Sequence, residues 1–369
     1  MIVDSHAHIF PFLGSEAGFT SVSEHLWYLQ LYMAAHSERV RNVDDGAEVT
    51  GNTLVTIDAD GSFELKDANF RVGENGRFLW NYEGKDVYMQ YMPPSLQTNT
   101  APSNYLVAEM DHAGVDMAVL QNAHPYGRLE EFFAGATQQH DQRLVGLASV
   151  NELLADEEDE QHRLYDAVRG NDLKGIYYAN RAFFQKNCSY GFDDRRYDEF
   201  WECVRELSVP VFWEISAGPS RRQDLLVSEL RRLSKWSKKY PDIPCVLTHG
   251  LTPELLSNVT ALEVCRDLLG HEQWCVEFLY PIHWGQKHHY PYEELRPHLR
   301  EVISLVGSER VVWGSDMPNV ERNCTYKQSL DYLDRVCDFL LPHEIDGILG
   351  GNILGVIGNQ AKQLDGTVP

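Results

Sequence analysis

The residues best placed to do chemistry are His6 and His8, in Asp4-Ser5-His6-Ala7-His8 after a short apolar start. In extended backbone, residues i and i+2 project to the same side, so both imidazoles can reach one cation. A bare His-x-His pair is a weak signal by itself; its place at the end of a strand-like run is what gives it weight. Two further runs end in the same way. Val311-Val312-Trp313 passes through Gly314-Ser315 to Asp316, and Val246-Leu247-Thr248 ends at His249. Asp316 can ligate a metal or take a proton from bound water, and its plain alternative is a helix cap. His249 can act as general acid/base, where a lone His at a strand end is more often a structural hydrogen-bonder. Glu277, closing Cys275-Val276, is a pocket candidate or a buried polar partner.

Side chains that converge in this way need parallel strands whose ends share one face. Eight runs rich in apolar residues fit that need: Met1 to Asp4, Met117 to Leu120, Leu144 to Val150, Gly175 to Tyr178, Val211 to Ile215, Cys245 to Thr248, Cys275 to Phe278 and Val311 to Ser315. They read as strands buried on both faces. From the second onward they recur about every 25 to 35 residues, room for a strand, a helix and two loops. The segments between them carry helical periodicity, as in Tyr197 to Leu207, Leu225 to Tyr240, Pro253 to Leu268 and Tyr326 to Leu340. The alternation predicts an α/β protein, a (β/α)₈ TIM barrel formed by residues 1–369 as one unit. No G-x-G-x-x-G or Walker motif follows a strand, which weighs against Rossmann and P-loop folds.

Residues 10–105 break the spacing. A helix is expected around Ser21 to Arg41, then alternating segments at Thr53 to Ile57 and Val87 to Tyr91, with turns at Asp60-Gly61 and Glu74-Asn75-Gly76. This is an insertion after strand 1 containing a small β-hairpin, expected to cap the barrel mouth. Trp80, Tyr82, Tyr88 and Tyr91 are candidates for a pocket wall, with packing of the hairpin as the competing role. Arg181, Arg221, Arg222 and Arg322 follow strands and could clamp a carboxylate, although a solvated Arg is the default. His124 and Tyr126 follow strand 2 and could border the pocket. His283, His288 and His289 read as surface residues.

A formal net charge of −23 excludes a general nucleic-acid or anionic-membrane partner, which would need clustered Lys and Arg. The seven cysteines are scattered with no C-x-x-C pair, as expected of reduced thiols in a cytoplasmic protein. No run of eighteen apolar residues suits a membrane span, and the N-terminus lacks the pattern of an export signal.

In Asp4 to His8, Met110 to Asp116, Leu144 to Asn151, Lys174 to Ile176, Leu247 to Gly250, Trp313 to Pro318 and Gly350 to Asn352, the chain resembles the amidohydrolase superfamily. Within it, the resemblance is to the branch of aminocarboxymuconate-semialdehyde decarboxylase and related aromatic-acid decarboxylases. It covers nearly the whole chain outside the insertion, and the motifs are specific as an ordered set. It implies His6, His8 and Asp316 as metal ligands and His249 as the acid/base. Family members usually place a third ligand His where this chain has Glu214, so Glu214 is expected either to complete the ligand set or to move protons. Lys174 does not stand where a carbamylated bridging Lys would, which favours one metal over two.

The resemblance thus implies one divalent ion, Zn²⁺ first and Mn²⁺ second, and a homodimer. The substrate expected is a small carboxylic acid, with Arg181, Arg221, Glu277, Tyr88, Tyr91 and His124 as its contacts and His249, Asp316 and Glu214 as the catalytic set. The reaction expected is non-oxidative decarboxylation of an aromatic or unsaturated acid. Metal-assisted hydrolysis of an ester, lactone or amide is the alternative, and a catalytically silent barrel used for binding the third reading.

Overall fold

The computed structural model describes residues 1–279 and 287–358. In chain order the strands are β1 (Val3–Ala7), β2 (Val40–Asn42), β3 (Glu48–Val49), β4 (Val55–Ile57), β5 (Phe63–Leu65), β6 (Arg71–Val72), β7 (Arg77–Tyr82) and β8 (Lys85–Gln90). They continue with β9 (Met117–Leu120), β10 (Leu144–Gly146), β11 (Ala148–Ser149), β12 (Ile176–Ala179), β13 (Val211–Glu214), β14 (Cys245–Leu247), β15 (Trp274–Phe278) and β16 (Val311–Trp313). The apolar runs form parallel strands in sequence order, β1-β9-β10 and β11 through β16. Nearly every residue of them is buried, as expected of strands covered on both faces.

β10 and β11 are two halves of one run. Leu147 N–H reaches the Leu120 carbonyl while Ala148 N–H reaches Gly175, so the chain passes from one neighbour to the next at that point. At the other side Ala7 bridges Met317, and the N–H groups of His8 and Asp316 bond to the carbonyls of Met317 and His6 at 2.7 and 2.8 Å. The result is a TIM-barrel-like α/β fold in which the end of the last strand lies against the end of the first.

The helices obey the same patterning. Asp198–Leu207 buries Phe200, Trp201, Val204 and Leu207 on one face, and Tyr326–Val336 starts at a Thr325/Gln328 capping box. The Pro253 to Leu268 helix expected from periodicity is two helices, Pro253–Leu256 and Val259–Leu269. Asn258 separates them and caps the second through its side chain. Strand 1 also differs from expectation: it runs from Val3 through Ala7, so His6 lies within it rather than beyond it.

The insertion begins with α1 (Val22–Ala35), capped by Ser21. It ends six residues short of the expected Arg41, because Val40–Asn42 is drawn into pairing with β8. Instead of one hairpin there is a five-stranded antiparallel sheet, β3-β2-β8-β7-β6, and a separate β4-β5 pair. The additional strands are two or three residues long, too short to carry a period-2 signal.

Candidate metal centre

The site is assembled where β1 meets β16. Asp4, fully buried, accepts from the N–H of His6 at 3.0 Å and of Ser315 at 2.9 Å, and from the hydroxyls of Ser315 and Tyr326 at 2.5 and 2.7 Å. It staples the two motifs that carry His6, His8 and Asp316. Gly314 is required by the same close approach: a Cβ there would lie 2.8 Å from the Cβ of His6 and 2.9 Å from Oε1 of Glu277. His249 and Asp316 both adopt left-handed backbone, φ 61° and 63°, which costs about 1–3 kcal/mol at each non-glycine residue. Hydrogen bonds hold both turns, from His249 N–H to Glu277 Oε2 at 2.9 Å and from Asp316 N–H to the His6 carbonyl.

His6, His8 and Asp316 each offer one ligating atom within 4.8 Å of the others, and all three residues are buried. The Nε2 atoms of His6 and His8 are 3.0 Å apart, and Asp316 Oδ1 is 3.0 Å from His8 Nε2 and 3.8 Å from His6 Nε2. The far edges of both rings are occupied. His6 Nδ1 faces Glu277 Oε2 at 2.8 Å and His8 Nδ1 faces the Gln121 carbonyl at 2.8 Å. Carboxylate and carbonyl oxygens can only accept, so each Nδ1 carries a proton and each Nε2 is the atom turned to the shared space. Two imidazole nitrogens and a carboxylate then converge, a donor set suited to a divalent cation.

Electrostatics agree with this assignment. Burial lowers the His6 pKa, but Glu277 and then Asp316 outweigh it and lift it to about 9, so without an ion a proton would take the cation's place. Burial, reinforced by the charge of His6, pushes His8 down. Burial opposes ionisation of Asp316, yet the hydrogen bond with His8 and the neighbouring imidazoles hold it well below the ordinary carboxylate range.

These atoms open into a cavity of about 500 Å³ that is also lined by Tyr32, His36, Tyr91, Tyr126, Tyr177, Arg181, Glu214, Arg221, His249, Lys287, Asn319 and Arg322. A larger surface cleft of about 790 Å³, lined by Arg128, Glu131 and His162 among others, lies elsewhere. It holds no comparable convergence of ligating atoms among the described residues.

Glu214 lines the cavity but stands outside the three-atom group. Its Oε1 is paired with Arg181, its Oε2 accepts from Tyr32 at 3.1 Å and from Tyr177, and His249 Nδ1 lies 4.0 Å from Oε1. Burial would raise its pKa, but Arg181 foremost, then His249 and the two phenols, bring it down to about 2. His249 is stacked 5.2 Å from His6, and burial lowers its pKa against the pull of Glu214.

Of the remaining candidates, Arg181, Arg221, Arg322 and Tyr91 reach the cavity, while Glu277 lies behind His6 as its hydrogen-bond partner. Tyr88, His124, Trp80, Tyr82 and Arg222 are not among the cavity's lining residues. Tyr88 lies under Arg77 on the insertion sheet, 4.4 Å from guanidinium carbon to ring centroid, and His124 pairs with Glu152 at 2.8 Å and packs on Tyr28. Trp80 is buried inside the insertion, and Arg222 pairs with Asp224. His288 lies near Glu294, and His283 falls outside the described residues. Tyr32, Tyr177 and Asn319 were not singled out from sequence. Asn319, three residues after Asp316 with Pro318 between, was the most legible of them.

Similar solved structures share this architecture. A probable 2-pyrone-4,6-dicarboxylic acid hydrolase from Acinetobacter baumannii, with citric acid bound, matches with a TM-score of 0.58 at 13% identity over 97% of this chain and 99% of that one. An amidohydrolase from Burkholderia multivorans with bound zinc matches at 0.57 and 13%, covering 71% and 89%. A 2,6-dihydroxybenzoate decarboxylase bound to 2,6-dihydroxybenzoate matches at 0.52 and 14%, covering 75% and 91%. At these identities the likeness is one of fold. A search of curated proteins finds no match. The family model described as Amidohydrolase matches residues 3–356, a span that takes in both ends of the staple between β1 and β16, and the chain belongs to that family.

Proposed function

We propose that this protein is a metal-dependent enzyme that removes CO₂ from an aromatic or unsaturated carboxylic acid without oxidation. The observation that carries the proposal is the convergence of two imidazole Nε2 atoms and one carboxylate oxygen beside His249 in a cavity of about 500 Å³. His6, His8 and Asp316 are the ligand set, Glu214 being engaged by Arg181 and two tyrosines. Zinc is our first assignment, as in the Burkholderia relative, and manganese the second. When bound, the ion would polarise a carboxylate or lower the pKa of water. His249 delivers a proton to the carbon that loses CO₂, so that the C–C bonding pair becomes a C–H bond. Arg181 and Arg221 supply positive charge on the side of the cavity where the acid enters. We read the parallel strands as a closed eight-stranded barrel of one domain, with residues 10–105 as its cap, and the protein as a cytoplasmic homodimer.

His249→Asn tests the assignment: turnover of a hydroxybenzoate is expected to fall by about 10²–10⁴-fold with ion content unchanged. Equal activity would remove His249 from the mechanism. Hydrolysis of a lactone or ester is the second reading, favoured by the pyrone-dicarboxylate hydrolase matching almost the whole chain. Solvent oxygen in the product would decide for hydrolysis, and released CO₂ for decarboxylation.

A further inference from the structure

Asn319 Nδ2 lies 2.9 Å from Asp316 Oδ1 and 2.6 Å from the Tyr126 hydroxyl. A carboxylate only accepts, so Asp316 fixes which end of the Asn319 amide faces it, and the amide N–H must also be what Tyr126 receives. The Tyr126 oxygen is thereby an acceptor, and its own hydrogen points away from Asn319 and Asp316. The Tyr126 ring packs 4.2 Å from His8, and its hydroxyl also interacts with that of Tyr91. Both phenols are more than nine-tenths buried, and both line the cavity with the ligand set. A phenol is protonated at neutral pH. Two hydroxyl hydrogens therefore face this corner. If Tyr126 donates to Tyr91, the Tyr91 hydrogen is left over; if it does not, the Tyr126 hydrogen is. Among the described residues neither hydroxyl donates to a group outside the pair.

Resting on the function proposed above, we infer that Tyr126 and Tyr91 together present one aimed hydroxyl donor beside the metal ligands. It donates to a substrate oxygen, of the carboxylate or of a hydroxyl ortho to it, and Asn319 is the positioning residue that sets its direction. The insertion thus contributes a substrate contact through Tyr91, at the end of β8, as well as covering the site.

The test uses zinc-loaded full-length protein and 2,6-dihydroxybenzoate, with binding followed by calorimetry and ion content by elemental analysis. The Tyr91→Phe/Tyr126→Phe pair is expected to weaken binding about tenfold or more, the range of a hydrogen bond to a charged group. Tyr126→Phe alone should weaken it less, because the Tyr91 hydrogen remains but has lost its aim. Zinc content should stay at the wild-type value, whereas a loss of binding through a merely distorted site would lower it too. Wild-type affinity in both variants overturns the inference while leaving the proposed function standing, as does zinc-loaded wild-type protein that fails to bind the probe but decarboxylates another acid. Wild-type protein that binds neither zinc nor any acid sinks both.

Discussion

Glu214 is the residue at which a family pattern and the geometry of this chain part company. A carboxylate already receiving Arg181, Tyr32 and Tyr177 has little capacity left for a cation. Glu214→Gln is therefore expected to retain its full complement of ion, whereas Asp316→Asn should lose most of it; elemental analysis after dialysis separates the two. Loss of ion from Glu214→Gln would return Glu214 to the ligand set. The ligating imidazoles and Asp316 were visible in sequence because each ends an apolar run. What their unused edges touch was not. Gln121 contributes a backbone carbonyl, for which no residue type is a marker, and Glu277 reaches His6 from β15, on the far side of β16.

At the scale of elements, the Gly314-Ser315 pair lets β16 pass close to β1. Gly314→Ala places a carbon within 3 Å of His6 and Glu277, backed by fully packed strands, and should cost about 1–3 kcal/mol as overpacking while tilting His6 off the shared space. The expected outcome is a lower denaturation midpoint with weaker zinc affinity, both read by titration. A second joint is Glu130, at the start of helix Glu130–Gln139, whose carboxylate accepts from Ser149 N–H at 3.0 Å and pairs with Arg163 at 2.6 Å. Burial would raise its pKa, but Arg163, Arg128 and Ser149 bring it below the usual value. The folded pKa thus lies under the unfolded value of ~4.3. The ionised form stabilises above that pH, and the contribution is lost as pH falls through the folded value. The Tm gap between wild type and Glu130→Gln should be widest near neutrality and close below pH 4; a gap independent of pH would refute the assignment. The eight runs were legible because parallel strands buried on both faces read as unbroken apolar segments. The insertion sheet was not, since its two- and three-residue strands owe their existence to their neighbours, β2 to β8, β3 to β2 and β6 to β7.

For the molecule as a whole, an ion bound by the folded chain alone adds about 2.7 kcal/mol at a hundred times its Kd. Chelator should therefore lower Tm by a few degrees and added zinc restore it; no shift in either direction would count against a resident ion. Among the described residues no helix is long and apolar enough to cross a membrane, and all seven cysteines are free. Asp4 and Ser315, the staple of the site, are 311 positions apart in the chain. In synthesis the two imidazoles precede the matching carboxylate by about three hundred residues. Capture of the proposed ion therefore waits on the strand that carries Asp316, and a chain cut between His8 and Asp316 would hold two of the three ligands with nothing to complete them.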